Sequence, residues 1–100
     1  MVTLVLPSLV AGRDLADEFV DRLAGTLAGE VVTVDARRLT RGTPSFAARL
    51  VERVLGGGAQ QMVVQGPPAL FAGYLEKAAG ELGGTARLDV RGVADQPAAL

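Results

Sequence analysis

The sequence predicts an α/β fold: a small single domain with a four-stranded, mainly parallel sheet and three helices. Three observations carry this. Short branched, apolar runs at Val2–Leu6, Val31–Val34 and Met62–Val64 have the composition of buried strands. Between them lie stretches with apolar residues every three or four positions, the period of a helix with one buried face. Glycine or proline stands at each change of period, so strand and helix alternate along the chain.

The first strand, Val2-Thr3-Leu4-Val5-Leu6, is stopped by Pro7, and the segment from Pro7-Ser8 to Ala11-Gly12 reads as a short connection. A helix is expected from Arg13 to Leu27, where Leu15, Phe19, Leu23 and Leu27 recur every four residues. Asp14, Asp17, Glu18 and Asp21 fall on its other side, and Glu18 and Arg22 form an i,i+4 pair. That acidic side is an ordinary solvated face or, alternatively, a docking surface. The second strand, Val31–Val34, carries Asp35 at its carboxyl end and leads into a basic loop, Ala36–Gly42, in which Leu39 is expected to fold back onto the core.

The second helix starts at Thr43, a good N-cap, followed by Pro44 at a position whose N–H would be unpaired anyway. Phe46, Ala47, Leu50, Val51, Val54 and Leu55 form its buried stripe, and Gly56-Gly57-Gly58 ends it. That glycine run follows a helix and precedes a strand, the reverse of a phosphate-binding loop. The third strand is Gln60–Gln65, and Gly66-Pro67-Pro68 turns the chain into a third helix. Leu70, Phe71, Tyr74, Leu75, Ala78, Ala79 and Leu82 form its apolar face, and Gly83-Gly84 ends it. Thr85–Val90 alternates strictly, which predicts an edge strand with one exposed face. The domain is placed at residues 1–92 and a tail at 93–100.

Strand order stays open at this level. Four strands about 4.8 Å apart are narrower than three helices about 10 Å wide. Either one helix covers the opposite face or the helical layer overhangs the sheet. Thr3, Thr33, Gln61 and Arg87 are candidates for the less apolar face.

Composition narrows the function. Ten basic and eleven acidic residues are well mixed, giving a net charge of −1, so neither nucleic acid nor a membrane surface has electrostatic support. There is no cysteine and no histidine, which removes thiolate zinc sites, cysteine nucleophiles and the commonest general base. No carboxylate pair is placed to act together, so no catalytic residue, metal or cofactor is expected. The hydrophobic fraction is 49% and mean hydropathy is +0.32, yet no apolar run approaches the roughly 18 residues of a membrane span. The opening MVTLVLPSLVAG lacks a basic n-region and reads as a buried strand, so a cytoplasmic protein is expected. Nine arginines against one lysine, with abundant Ala, Gly and Val, match the usage of a GC-rich bacterial genome.

One stretch is more specific. Asp35 ends an apolar strand, Leu39 follows four positions on, and Ser45 opens a helix ten positions on, with Phe46-Ala47-Ala48-Arg49-Leu50 behind it. This pattern, together with Gly12-Arg13-Asp14-Leu15-Ala16 at the first helix, resembles the STAS-like domains, relatives of the STAS family of anti-sigma factor antagonists. In those antagonists the serine at this helix start is phosphorylated by a partner kinase, which releases the partner. The resemblance therefore implies Ser45 as the phospho-acceptor and a histidine-kinase-like ATPase, an anti-sigma factor or a Ser/Thr kinase, as the partner. The family's usual acceptor motif is Asp-Ser-Ser-Gly, where this chain reads Thr43-Pro44-Ser45-Phe46.

The resulting expectation is a non-enzymatic regulatory protein-interaction module. Its contact surface is placed at Arg37, Arg38, Arg41, Thr43, Ser45, Phe46 and Arg49 and in the groove towards the third helix, with Asp35 and Leu39 shaping the loop. A phosphate on Ser45 is expected to sit beside unpaired first-turn N–H groups and these arginines. Ser45 is equally a small polar residue suited to a first turn, and the arginines equally a solvated loop. Two other functions stay open. One is a small-ligand or nucleotide sensor binding near Asp35–Ser45 and Gly66–Pro68. The other is a homo-oligomeric structural unit pairing through the Thr85–Val90 edge or the polar sheet face.

Overall fold

Branched apolar side chains and glycine punctuation organise the chain as the sequence predicts. The computed structural model describes residues 2–23 and 27–93. In chain order the elements are β1 (Val2–Val5), β2 (Leu9–Val10), α1 (Arg13–Asp21), β3 (Val31–Asp35), β4 (Arg41–Gly42), α2 (Pro44–Leu55), β5 (Gln61–Gln65), α3 (Ala69–Glu81), a 3-10 turn (Thr85–Arg87) and β6 (Leu88–Arg91). Four strands form one sheet in the order β1-β3-β5-β6, every pair parallel, and β2 and β4 form a separate two-stranded parallel sheet. The edge position expected for the last strand is observed.

The strand order follows the chain order. With crossovers of constant hand, each helix then lands on the same face of the sheet. Burial agrees: Leu4, Val32, Val34, Met62 and Val64 are nearly or wholly buried, while Thr3 and Val5 on the other face are exposed. The helices pack side by side along a row of rings. Phe19 of α1 meets Phe46 of α2 edge-on at 6.0 Å, and Phe46 meets Phe71 of α3 at 6.2 Å. Of the two arrangements left open, the overhanging layer is therefore the observed one. The opposite face carries no helix among the described residues. Its polar character suits this: Thr3, Thr33, Val63 and Asp89 stand in register across all four strands, and Gln61 and Gln65 sit on the same face.

Several expectations are corrected. The first helix ends at Asp21, not Leu27. Its last turn tightens, with Leu23 N–H donating to the Val20 carbonyl, and Leu27 is buried beyond it. Residues 24–26 lie outside the described residues, as does the tail from 94. The supposed connection after Pro7 contains β2; the carbonyls of Ser8, just before it, and of Val10 accept from the Arg41 and Thr43 N–H groups.

Thr85-Ala86-Arg87 turns as a 3-10 helix before the last strand begins. The reason is Arg87. Its guanidinium leaves the sheet and donates to the Leu55 and Ala59 carbonyls, capping the end of α2. Arg87 is thus not on the polar face. Finally, Leu70 and Leu82 are not core residues of α3; they are 74% and 47% exposed.

Candidate functional site

The carboxyl ends of β1, β3 and β5 are tied together by backbone bonds. Leu6 N–H donates to the Asp35 carbonyl, and Ala36 N–H to the Gln65 carbonyl. From this platform the basic loop and the starts of α2 and α3 project.

Asp35 anchors the loop. Its carboxylate accepts the Arg37 backbone N–H at 3.1 Å and the Arg37 guanidinium through two bonds of 2.9 Å. These bonds, the side-chain pair first, pull the Asp35 carboxyl down to about 2. The Arg37 stem lies across Gly66, where a Cβ would meet Arg37 Cγ at 2.6 Å, and Gly66 also has φ +65°. Only glycine fits there without displacing the clamp. Leu39 is 5% exposed and joins the core.

Thr43 is the hinge between the small sheet and α2. Its Oγ1 accepts from the Phe46 N–H, as an N-cap does, and from the Gly12 N–H at the start of α1, both at 3.2 Å. Ser45 Oγ lies 3.2 Å from the same oxygen and is exposed. Pro44 has no N–H and Phe46 is already paired. The Ser45 N–H is then the one first-turn donor without an acceptor among the described residues, fewer than the sequence led us to expect.

The predicted site residues therefore divide. Arg38, Arg41, Thr43 and Ser45 lie on one exposed or half-exposed rim. Phe46 does not belong with them: it is fully buried between Phe19 and Phe71 and presents no surface for docking. Arg37 is held by Asp35. Arg49 turns the other way, towards α1, donating to Asp17 at 2.9 Å and to Glu52 at 2.6 Å. Arg53 joins it, bonding Asp17 and Asp21 at 2.7 Å each. The hydrogen bonds from Arg49 and then Arg53 hold the Asp17 carboxyl below its ordinary value.

The sequence reading extended the contact surface to a groove towards the third helix but named no residue of that far wall. A groove of about 620 Å³ opens between the rim and the start of α3, lined by Arg41, Thr43, Pro44, Leu70, Phe71 and Tyr74 among others. It continues between α2 and α3 as a second hollow of about 310 Å³, which shares Pro44 and Tyr74 and adds Ala48, Lys77, Ala78 and Glu81. Gly42 permits this shape, because a Cβ there would sit 2.5 Å from the Phe71 ring. The available signal was the width of the apolar stripe of α3, which exceeds what one buried face needs.

Among the described residues no three His, Cys, Asp or Glu side chains are grouped to hold a metal, and no helix is long and apolar enough to cross a membrane. Compared with known proteins, the chain matches no family model, no curated protein and no solved structure.

Proposed function

We propose that this chain is a non-enzymatic regulatory protein-interaction module of the STAS-like kind, acting in the cytoplasm and controlled by the charge state of Ser45. The observation that carries this reading is the position of Ser45: its hydroxyl is exposed beside Thr43 and Pro44, which line the groove between the rim and α3. A phosphate there adds about −1.5 to −2 charges. On a solvated rim that charge is tolerated, and with one free first-turn N–H the helix adds little to hold it in place. Under a docked partner it would be desolvated without enough donors, at a cost of several kcal/mol. The switch therefore acts on binding and leaves folding alone. A histidine-kinase-like ATPase, as the resemblance implies, is the partner class we favour.

The test is affinity capture from the native cell with wild type and Ser45→Asp, read by mass spectrometry, beside the melting temperature of each. The variant is expected to lose the captured ATPase while melting within about 2–4 °C of wild type, as surface changes of under ~0.5 kcal/mol do. Equal capture by both chains would remove the switch.

A further inference from the structure

The two hollows share Pro44 and Tyr74, so they form one trough between α2 and α3. On α3 its wall is Leu70, Tyr74, Lys77 and Glu81, spaced by four, three and four residues, the seam of a helix that packs against another helix. On α2 it is Pro44 and Ala48, small enough to admit a neighbour. From Leu70 to Glu81 the trough runs about 17 Å, or three helical turns. Leu70, 74% exposed, is the largest apolar side chain on it left without cover. The long walls are helices whose main chains are already hydrogen-bonded internally, and the one strand at the trough's wide end, β4, is only two residues long, too short to seat an extended partner strand. A helix needs no strand edge, because it satisfies its own main chain.

The charges choose the helix. Three of the nearby arginines are occupied, Arg37 by Asp35, and Arg49 and Arg53 by Asp17, Asp21 and Glu52, whereas Arg38 on the rim has no ion pair among the described residues. Arg41, beside Leu70, and Lys77, midway along, have no carboxylate partner among the described residues. Glu81, at the far end, is the one acid on the trough wall. We propose that the α2–α3 trough receives an acidic amphipathic helix of a partner protein, its apolar anchors over Leu70 and Tyr74 and its carboxylates over Arg41 and Lys77. This rests on the interaction-module reading and specifies the partner's binding element.

Two synthetic peptides of about four turns test it, identical in their leucines at i, i+3, i+4 and i+7 and carrying glutamate or lysine at the flanking positions. Binding is followed by amide shift mapping on the intact chain. The acidic peptide is expected to bind at least about tenfold more tightly than the basic one, with shifts along Thr40–Ala48 and Leu70–Glu81. Leu70→Gln should weaken it, and the double variant Arg41→Glu/Lys77→Glu should reverse the preference. All three side chains are on the surface, so these variants keep the fold, which the unperturbed remainder of the spectrum verifies.

Equal binding of both peptides, binding of neither, or shifts confined to the open sheet face would overturn the proposal. So would a homodimer that Leu70→Gln dissolves, since a second copy would then own the trough. Loss of the Ser45 effect on ATPase capture, with peptide preference intact, removes the switch alone. A Ser45-sensitive partner with no peptide preference removes this inference alone.

Discussion

Helix α2 has two flanks, and they are built from opposite materials. Towards α1 it presents Arg49 and Arg53, which close the gap with charge-assisted bonds of 2.7–2.9 Å to Asp17 and Asp21. Towards α3 it presents Pro44 and Ala48, and the space above them stays open. Beneath both flanks the same row of rings, Phe19, Phe46 and Phe71, runs without a break. The floor is common and the closure differs. The flank whose polar groups satisfy one another is committed to holding the fold. The flank with an uncovered leucine and unpaired cations stays open, and in our proposal a partner helix completes it.

The strongest way to break this comparison is to remove the shared floor. Phe46→Ala takes a fully buried ring from between its two neighbours. It is expected to cost about 3–5 kcal/mol, much of the roughly 5–15 kcal/mol that holds a domain of this kind. Urea denaturation measures it. A loss below about 1 kcal/mol would mean that the two flanks stand independently and that the ring row does not join them.

How far the sequence revealed these flanks depends on the range of the interactions that form them. The strands and the buried stripe of α2 were legible because both are periodic, and a period can be read from neighbours in sequence. The two-residue strands β2 and β4 have no period to read; they exist because Ser8 and Val10 carbonyls meet Arg41 and Thr43 N–H groups 33 residues away. Arg49 looked like a loop-side cation because it lies near Ser45 in sequence. Its partner, Asp17, is 32 residues away, and only the packing of α1 on α2 brings them together. Phe46 was assigned to the contact surface by adjacency to Ser45, although one helical step of about 100° turns it into the core. Leu70 shows the reverse error: its spacing fits the apolar stripe of α3, but the stripe is wider than the surface α2 and the sheet can cover.

A smaller effect probes the closed flank alone. Asp17→Asn weakens its tie to Arg49 and Arg53 and is expected to lower stability by less than Phe46→Ala, without disturbing the α2–α3 trough. The pH dependence identifies the cause. The folded carboxyl is held below its ordinary 3.8 by the two guanidiniums, so its contribution is complete above the unfolded value near 4 and is lost as pH falls through the folded value. Wild type and Asp17→Asn should therefore differ at neutral pH and converge in acid. The Asp35 clamp, with its carboxyl at about 2, titrates in both chains and cancels from the difference. A gap that stays constant down to pH 2 would assign the loss to packing instead of charge.

The smallest expected effect is the sharpest, because it concerns the open flank. Leu70 lies in the first turn of α3 and is 74% exposed, so most of its surface is already in water. Leu70→Gln exchanges the apolar branch for a polar amide one atom longer, with nearly the same helix propensity. Nothing that holds the fold is removed, and the stability change in urea should stay within about 0.5 kcal/mol, while the acidic-peptide affinity falls. A loss above about 1 kcal/mol would show that Leu70 is packed against its own chain in solution. The trough would then be filled, the two flanks of α2 would be closed alike, and no room would remain for a partner helix.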